Sequence, residues 1–417
     1  MNTAVVRRLT WLLFFGQSLS SAAFIAGATV GAIIGAELSG RPALAGQPSA
    51  TYLLGSALAA YPAARLMERV GRRAGLSLGF LIGIAGALVC GFAVLRGSFP
   101  GFLLGMWGMG VTRGVMDLGR YAAAEMNPVA QRARAISTVV LGGTVGAILG
   151  PALVAPMGQL AVSFSANALA GPWFAAAGLF TLGLALIGLF LRPDPSDLAR
   201  QLAANQTPEA AAAANQPARS WRTILAQTNT RVAIAAMVIG QLVMVMLMTI
   251  TSLHMIHNGH VLGDVSLVIM AHTLGMFGLS VVTGRLADNF GRAPVIIAGG
   301  ALLIAACLVA PLSQRTEVLA LALFLLGLGW NFCAVSGAAL LTDSLNLSER
   351  SRLQGSNDLA VGLVSAMGSL QSGALFEVIG YTNLAWISLA LSLIPALLAL
   401  RLLIFAARAR PPLPLHT

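Results

Sequence analysis

One stretch, GMWGMGVTRGVMDLGRYAAAEM (105–126), sets Arg113, Asp117 and Arg120 into an apolar run of a chain that is only 9% charged. On a wheel of about 100° per residue the three fall at roughly 0°, 40° and −20°, so they share one face with Met106. An aspartate held beside two guanidiniums can take up and release a proton, with the arginines setting its affinity or holding an anionic solute. The blander reading of Arg113 and Asp117 is a self-neutralising i,i+4 bridge that locks the helix. Asp358 is a second candidate proton carrier, with Gly362, Ser365 and Ser369 on its face; the alternative makes it a partner for Arg350 or Arg352. Gln17, Ser20, Ser21 and Phe24 lie on one face of the first apolar run and offer neutral hydrogen bonds. Asn331 marks the part of the tenth run that corresponds to the charged one, and no charge stands there.

Histidines gather in HMIHNGH, where His254, His257 and His260 precede Asp264 and His272. Imidazoles titrate near neutral pH and bind metals, but spacings of three and three on a fraying helix end do not make a zinc signature. His272, roughly 12 Å from the membrane edge at about 1.5 Å per residue, is the better cavity candidate. Five methionines (237, 244, 246, 248 and 255) in the seventh run suit packing or an adaptable apolar pocket.

The elements that must carry these groups follow from composition. A chain of 417 residues that is 57% hydrophobic, with mean hydropathy +0.83, has more apolar surface than a soluble fold can hide. Runs near the ~20-residue length of a bilayer-spanning helix recur twelve times. They lie at roughly 10–35, 48–67, 74–95, 101–125, 135–157, 172–191, 231–253, 265–286, 295–312, 318–342, 354–378 and 384–407. In lipid such runs must be helices, and the alternation of a barrel is absent. The uncharged length from Leu9 to Ala36 is too long for a secretory signal core. Twenty of the 25 basic residues, all arginine, fall in segments on one side of this topology and three on the other, which predicts both termini inside. The formal charge of +11 is therefore topological and implies no nucleic-acid partner. The expected organisation is a six-helix bundle at 1–191, a cytoplasmic linker at 192–230 rich in Ala, Asn, Gln and Pro, and a second six-helix bundle at 231–417.

GRLADNFGR (284–292) repeats ARLMERVGR (64–72) at an offset of 220 residues: Gly284, Leu286, Asp288, Gly291 and Arg292 answer Ala64, Leu66, Glu68, Gly71 and Arg72. EMNPVAQR and DSLNLSER form a second pair at offset 218, with Glu125 and Arg132 matching Asp343 and Arg350. Two motifs with nearly one offset indicate a duplicated six-helix unit. At these residues the chain resembles the major facilitator superfamily, over essentially its whole length. The resemblance implies an all-α membrane fold of twelve transmembrane helices in two pseudo-symmetric bundles. It also implies an inner-face gate of Glu68, Arg69, Arg72, Glu125, Arg132, Gly284, Asp288, Gly291, Arg292, Asp343 and Arg350, whose acids and arginines pair across the halves in the outward-open state. The fifth run carries Gly142, Gly146 and Gly150 before Pro151, a pattern similar to the helix-5 motif of the superfamily's antiporters, although ALVAP follows where a glycine pair is expected. Met106 stands where the family's helix-4 pattern has an arginine, with Arg113 as a displaced substitute.

No P-loop, GxSxG or HExxH occurs, so no enzyme chemistry and no cofactor is expected, and the energy source is an ion gradient. Cys90, Cys307 and Cys333 sit in separate apolar runs and suggest no disulfide framework. The expectation is a monomeric multi-pass protein of a bacterial-type inner membrane, with the bilayer, protons and a small-molecule substrate as its partners. It would export a small, partly apolar molecule in exchange for protons. Three alternatives stand: an importer of a metabolite anion drawn by Arg113 and Arg120, a divalent-metal exporter using the histidines, and a membrane sensor or assembly factor without turnover.

Overall fold

The computed structural model describes residues 3–127, 131–204, 219–345 and 347–408, and all of its long elements are helices. The first half comprises α1 (Thr3–Ser39), α2 (Gln47–Val70), α3 (Arg72–Leu95), α4 (Phe99–Met116), α5 (Gly119–Glu125), α6 (Arg132–Ser163) and α7 (Gly171–Phe190). Two short helices follow, α8 (Pro195–Ala204) and α9 (Trp221–Ala226). The second half comprises α10 (Thr228–His257), α11 (Leu262–Phe277), α12 (Ser280–Phe290), α13 (Arg292–Val309), α14 (Thr316–Asp343) and α15 (Leu347–Arg408), which turns at Gly380.

Nine stretches among the described residues have the length and apolarity to cross a bilayer unaided. One of these, 356–404, turns at Gly380 and so crosses twice. The two expected spans that fall short are α2, which carries Pro62, Arg65, Glu68 and Arg69, and the α4–α5 run with its charged face. They pack on each other so closely that a Cβ on Gly110 would collide with the Tyr52 carbonyl. Polar spans of this kind need protein neighbours in place of lipid.

Each half has its own apolar core. In the first, Trp173, Phe80, Phe102 and Phe180 are buried, with Phe102 edge-on to Trp173 at 5.0 Å. In the second, the core runs from Ile224 to Ala399, draws heavily on α10 and takes in Ala32, Ala36 and Ala45 of the first half. The end of the linker is fastened to the second half, where the Arg219 guanidinium forks onto the buried Glu349 carboxylate at 2.7 and 2.8 Å.

The repeat is visible in the backbone. Gly71 (φ 89°, ψ 163°) and Gly291 (φ 93°, ψ 159°) end α2 and α12 and start α3 and α13. That region of conformational space is essentially open to glycine alone. Gly284 sits in regular helix with nothing within 4 Å of the place a Cβ would take, so neither backbone nor packing calls for glycine there in this conformation.

Candidate functional site

The span of α4 and α5 breaks at Asp117 and Leu118, where the Leu118 amide donates to the Val115 carbonyl, three residues back instead of four, at 3.2 Å. Asp117 Oδ2 accepts from Arg113 Nε at 3.1 Å, and both side chains keep about two fifths of their surface open, 37% and 43%. The Arg113 guanidinium lies 5.7 Å over the Phe24 ring of α1, whose other neighbour is Tyr52, stacked at 3.9 Å and 12°. The Tyr52 hydroxyl is buried and lies within electrostatic reach of the Arg113 guanidinium. Gln17 lies two turns before Phe24 on the same face of α1, half-buried, its side chain making no hydrogen bond among the described residues. On the same face as Arg113, Arg120 reaches Asp358 of α15 at 3.6 Å, so this pair bridges the halves. Its guanidinium also donates to the Tyr121 hydroxyl at 3.2 Å. The two candidate acids, 241 residues apart in sequence, therefore belong to one charged cluster at the junction of the halves.

The inner-face charges pair within each half. Arg72 forks onto Glu125, with Nε–Oε2 at 3.1 Å, inside the first half. Arg292 Nε meets Asp343 Oδ2 at 3.2 Å and its Nη1 meets Asp288 Oδ1 at 2.7 Å, inside the second. The expected pairing across the halves belongs to the outward-open state; in this conformation each group pairs within its own half. The reason is geometric: the Gly71 and Gly291 turns aim each arginine at the end of its own half's fourth helix. Glu68 and Arg69 are exposed and make no ion pair among the described residues. The side chains of Arg132, Arg350 and Arg352 lie outside the described residues.

The Major Facilitator Superfamily model matches residues 10–263 and 232–416 in two overlapping passes. This chain belongs to the major facilitator superfamily. It is thus a multi-pass membrane transporter, not an enzyme. It is 38% identical over 407 residues to the MFS-type transporter YdeG of Bacillus subtilis (strain 168), covering 96% of this chain and 91% of that one. To the riboflavin transporter RfnT of Brucella anthropi it is 30% identical over 409 residues, 96% of this chain and 98% of the other. A solved D-xylose–proton symporter superposes with a TM-score of 0.73 at 15% identity, over 94% of this chain and 97% of that one, a likeness of fold.

Other expected site residues of this superfamily member fall into packing. Asn331 is buried and occupied on both sides: Oδ1 accepts from Thr283 at 2.6 Å, while Nδ2 donates to the Met276 carbonyl at 2.6 Å and to Ser280 at 2.8 Å. It stitches the break between α11 and α12, so its placement in the cavity is corrected. His272 is fully buried within the second half, its Nδ1 donating to the Leu323 carbonyl at 2.9 Å. That placement too is corrected, because Gly327 of α14 packs directly on the His272 carbonyl. His254 stacks on Tyr381 at 4.1 Å, His257 lies against Phe376 at 6.0 Å, and His260 turns to the Gln314 carbonyl at 2.7 Å. The three imidazoles point to three different neighbours and share no point for an ion.

Gly142, Gly146 and Gly150 form the seam with α1. A Cβ on Gly142 or Gly146 would strike the Phe14 or Ser18 carbonyl, and one on Gly150 would lie 2.8 Å from that of Ala22. Pro151 follows inside α6. Cys90, Cys307 and Cys333 are free and buried.

Sequence reasoning missed the seal at the face away from the arginines. Ser369 Oγ donates to the Gly46 carbonyl at 2.9 Å, and the Ala43 amide donates to Glu377 Oε2 at 3.0 Å. Thr273 of α11 also reaches the Ala147 carbonyl of α6 at 3.0 Å. Neutral serines and a main-chain loop carry no sequence signal of pairing, and Glu377 reads from sequence as a solvated acid.

Proposed function

We propose that this transporter exports a small, partly apolar organic molecule across a bacterial-type inner membrane in exchange for protons, as a monomer whose halves rock about a midplane cavity. The observation that carries the reading is the pair of acid–arginine contacts on one face, Arg113–Asp117 within the first half and Arg120–Asp358 between the halves. An ionised carboxylate holds a guanidinium; a protonated one releases it. Proton uptake at Asp358 would loosen a bond between the halves, and proton uptake at Asp117 would free Arg113 on the cavity wall. Each step favours one arrangement of a two-state machine over the other. The arginine-rich face is assigned to the cytoplasm. With the opposite face sealed, the described state then exchanges solute with the cytoplasm, where an exported molecule is loaded.

Phe24 and Tyr52 give the wall an aromatic surface beside Gln17 and the charged pair, which suits a planar, partly apolar solute. The riboflavin transporter relative supports that class, since riboflavin is such a molecule. The glycine seam before Pro151 supports antiport through its likeness to the antiporter motif. Uptake of a metabolite anion is less favoured, because Arg113 and Arg120 already face carboxylates.

Proteoliposomes with an imposed pH gradient test the reading. Riboflavin and other planar solutes should move against the proton gradient, and Asp117→Asn should abolish gradient-driven movement while leaving expression intact. Unimpaired coupled transport in that variant removes Asp117 as the proton site, and flux indifferent to the gradient removes proton coupling altogether.

A further inference from the structure

The face away from the arginines is closed by a strap. Between α1 and α2 the chain makes a single 3₁₀ turn, Pro42–Leu44, and lies across the far end of the first leg of α15. Three features fit strap to helix. Gly46 and Ser369 meet with no room for a side chain, since a Cβ on Gly46 would overlap the Ser369 carbonyl. A Cβ on Gly373 would come within 2.5 Å of the Ala43 carbonyl. The third feature is Glu377, whose carboxylate accepts the Ala43 amide. From the other side the end of α10 braces this segment: His257 and His254 lie against Phe376, and His254 stacks on Tyr381 just past the Gly380 turn. The histidines thus hold the end of the helix that carries Glu377.

We propose that Glu377 is a positioning residue of the transport cycle, holding the 42–46 strap of the first half against the second half and thereby setting how readily the arginine-poor face opens. The chemistry suits a reversible latch. Ser369 and Gly46 make a buried, neutral contact that closes only when the surfaces fit. Glu377 is exposed, so water takes over its carboxylate when the strap lifts, and the charge-assisted bond forms again without a large desolvation penalty. The inference uses the rocking of the halves but neither the substrate nor the coupling ion of the proposed function, so it is tested without them.

The test reads accessibility of single cysteine reporters to a membrane-impermeant maleimide, in right-side-out and inverted vesicles holding the full-length protein. Gln17→Cys reports the cavity from the arginine-poor side, and Leu359→Cys reports the other side, where Leu359 is exposed. The three native cysteines are buried, and the unsubstituted chain serves as blank. Glu377→Ala should speed labelling at position 17 by about tenfold, the equilibrium shift that roughly one charge-assisted hydrogen bond supplies. The same variant should slow labelling at position 359, because opening one face closes the other. Glu377→Gln should fall between the parent and the alanine variant, since its amide oxygen accepts the same N–H without the charge. Ser369→Ala should act like Glu377→Ala but more weakly, and it keeps the test alive if Glu377→Ala fails to insert. Unchanged rates in Glu377→Ala, faster labelling at both positions, or a glutamine variant as fast as the alanine variant would each overturn the proposal.

Discussion

The two halves share a scaffold and differ in their charge. Each has a glycine turn, an arginine beyond it and an acid at the end of its own fourth helix: Gly71, Arg72 and Glu125 in one, Gly291, Arg292 and Asp343 in the other. Each also packs a glycine of that helix onto the backbone of its second: Gly110 on Tyr52, Gly327 on His272. Tyr52 and His272 are themselves 220 residues apart, the offset of the repeat. Around these matched positions the chemistry diverges. The first half carries Arg113, Asp117 and Arg120 beside Tyr52, whereas the second carries Asn331, with its hydrogen bonds satisfied inside the bundle. Duplication supplied two equal levers, and the membrane-embedded charged cluster stands mainly on one of them, with Asp358 as its contact on the other.

The sharpest way to break this comparison is to disturb both fourth helices alike. Arg113→Ala leaves Asp117 without its partner in a part-buried site and should lower gradient-driven flux by about a hundredfold, the equivalent of roughly 3 kcal/mol. Asn331→Ala should lower thermal stability by about 1–3 kcal/mol, by orphaning buried partners, while the number of protons moved per solute stays unchanged. Thermal unfolding and coupled flux measured on both variants decide it. An Asn331→Ala protein of full stability that had lost coupling would show that the second half also carries titration machinery.

A smaller effect is expected at the bridge. Arg120 and Asp358 are part-exposed, so their coupling in a double-mutant cycle should be about 1 kcal/mol or less. Arg120→Asp and Asp358→Arg should each slow transport several-fold, and the reversed pair should recover most of that loss. No recovery in the double variant would mean that the two groups act separately.

Much of the fold was legible because lipid leaves a chain few choices: apolar length means helix, and a near-constant offset between two motifs means duplication. The shared face of Arg113, Asp117 and Arg120 was legible because 3.6-residue periodicity places side chains without knowledge of neighbours. What each side chain meets depends on the other helices, and there inference from spacing failed. Arg72 and Arg292 carry family motif positions, yet nothing in their spacing says that each turns to its own half. Asn331 reads as a polar group in a cavity-lining run. Its actual task, catching the carbonyl freed where α11 breaks, requires knowing that α11 breaks. Glu377 is exposed, as its place near the end of an apolar run suggests, but its partner is a main-chain amide 334 residues away, and main-chain donors have no letter in a sequence.

The smallest expected effect sharpens the comparison at the glycine turns. In the first half, Asp194 caps α3: Oδ1 accepts the Arg72 amide at 3.1 Å and Oδ2 the Arg73 amide at 3.0 Å. Gly71 lies so close that a Cβ would meet Asp194 Oδ2 at 2.6 Å, whereas the matching space at Gly291 holds only Pro294, at 3.7 Å. Partial burial alone would raise the Asp194 carboxyl, but the Ser196, Arg73 and Arg72 amides and the Ser196 hydroxyl outweigh it and hold it below the usual carboxylate range. A carboxyl depressed by folding contributes stability that is present above its unfolded value and lost as pH falls through the folded one. Asp194→Asn should therefore lower the melting temperature at neutral pH by roughly one or two degrees, as expected for a helix cap worth about 1 kcal/mol. The gap between variant and parent should narrow on acidification, because the parent loses the charge the variant never had. A gap that holds constant with pH would assign the cap to hydrogen bonding alone, and the first half's turn would then owe nothing to charge.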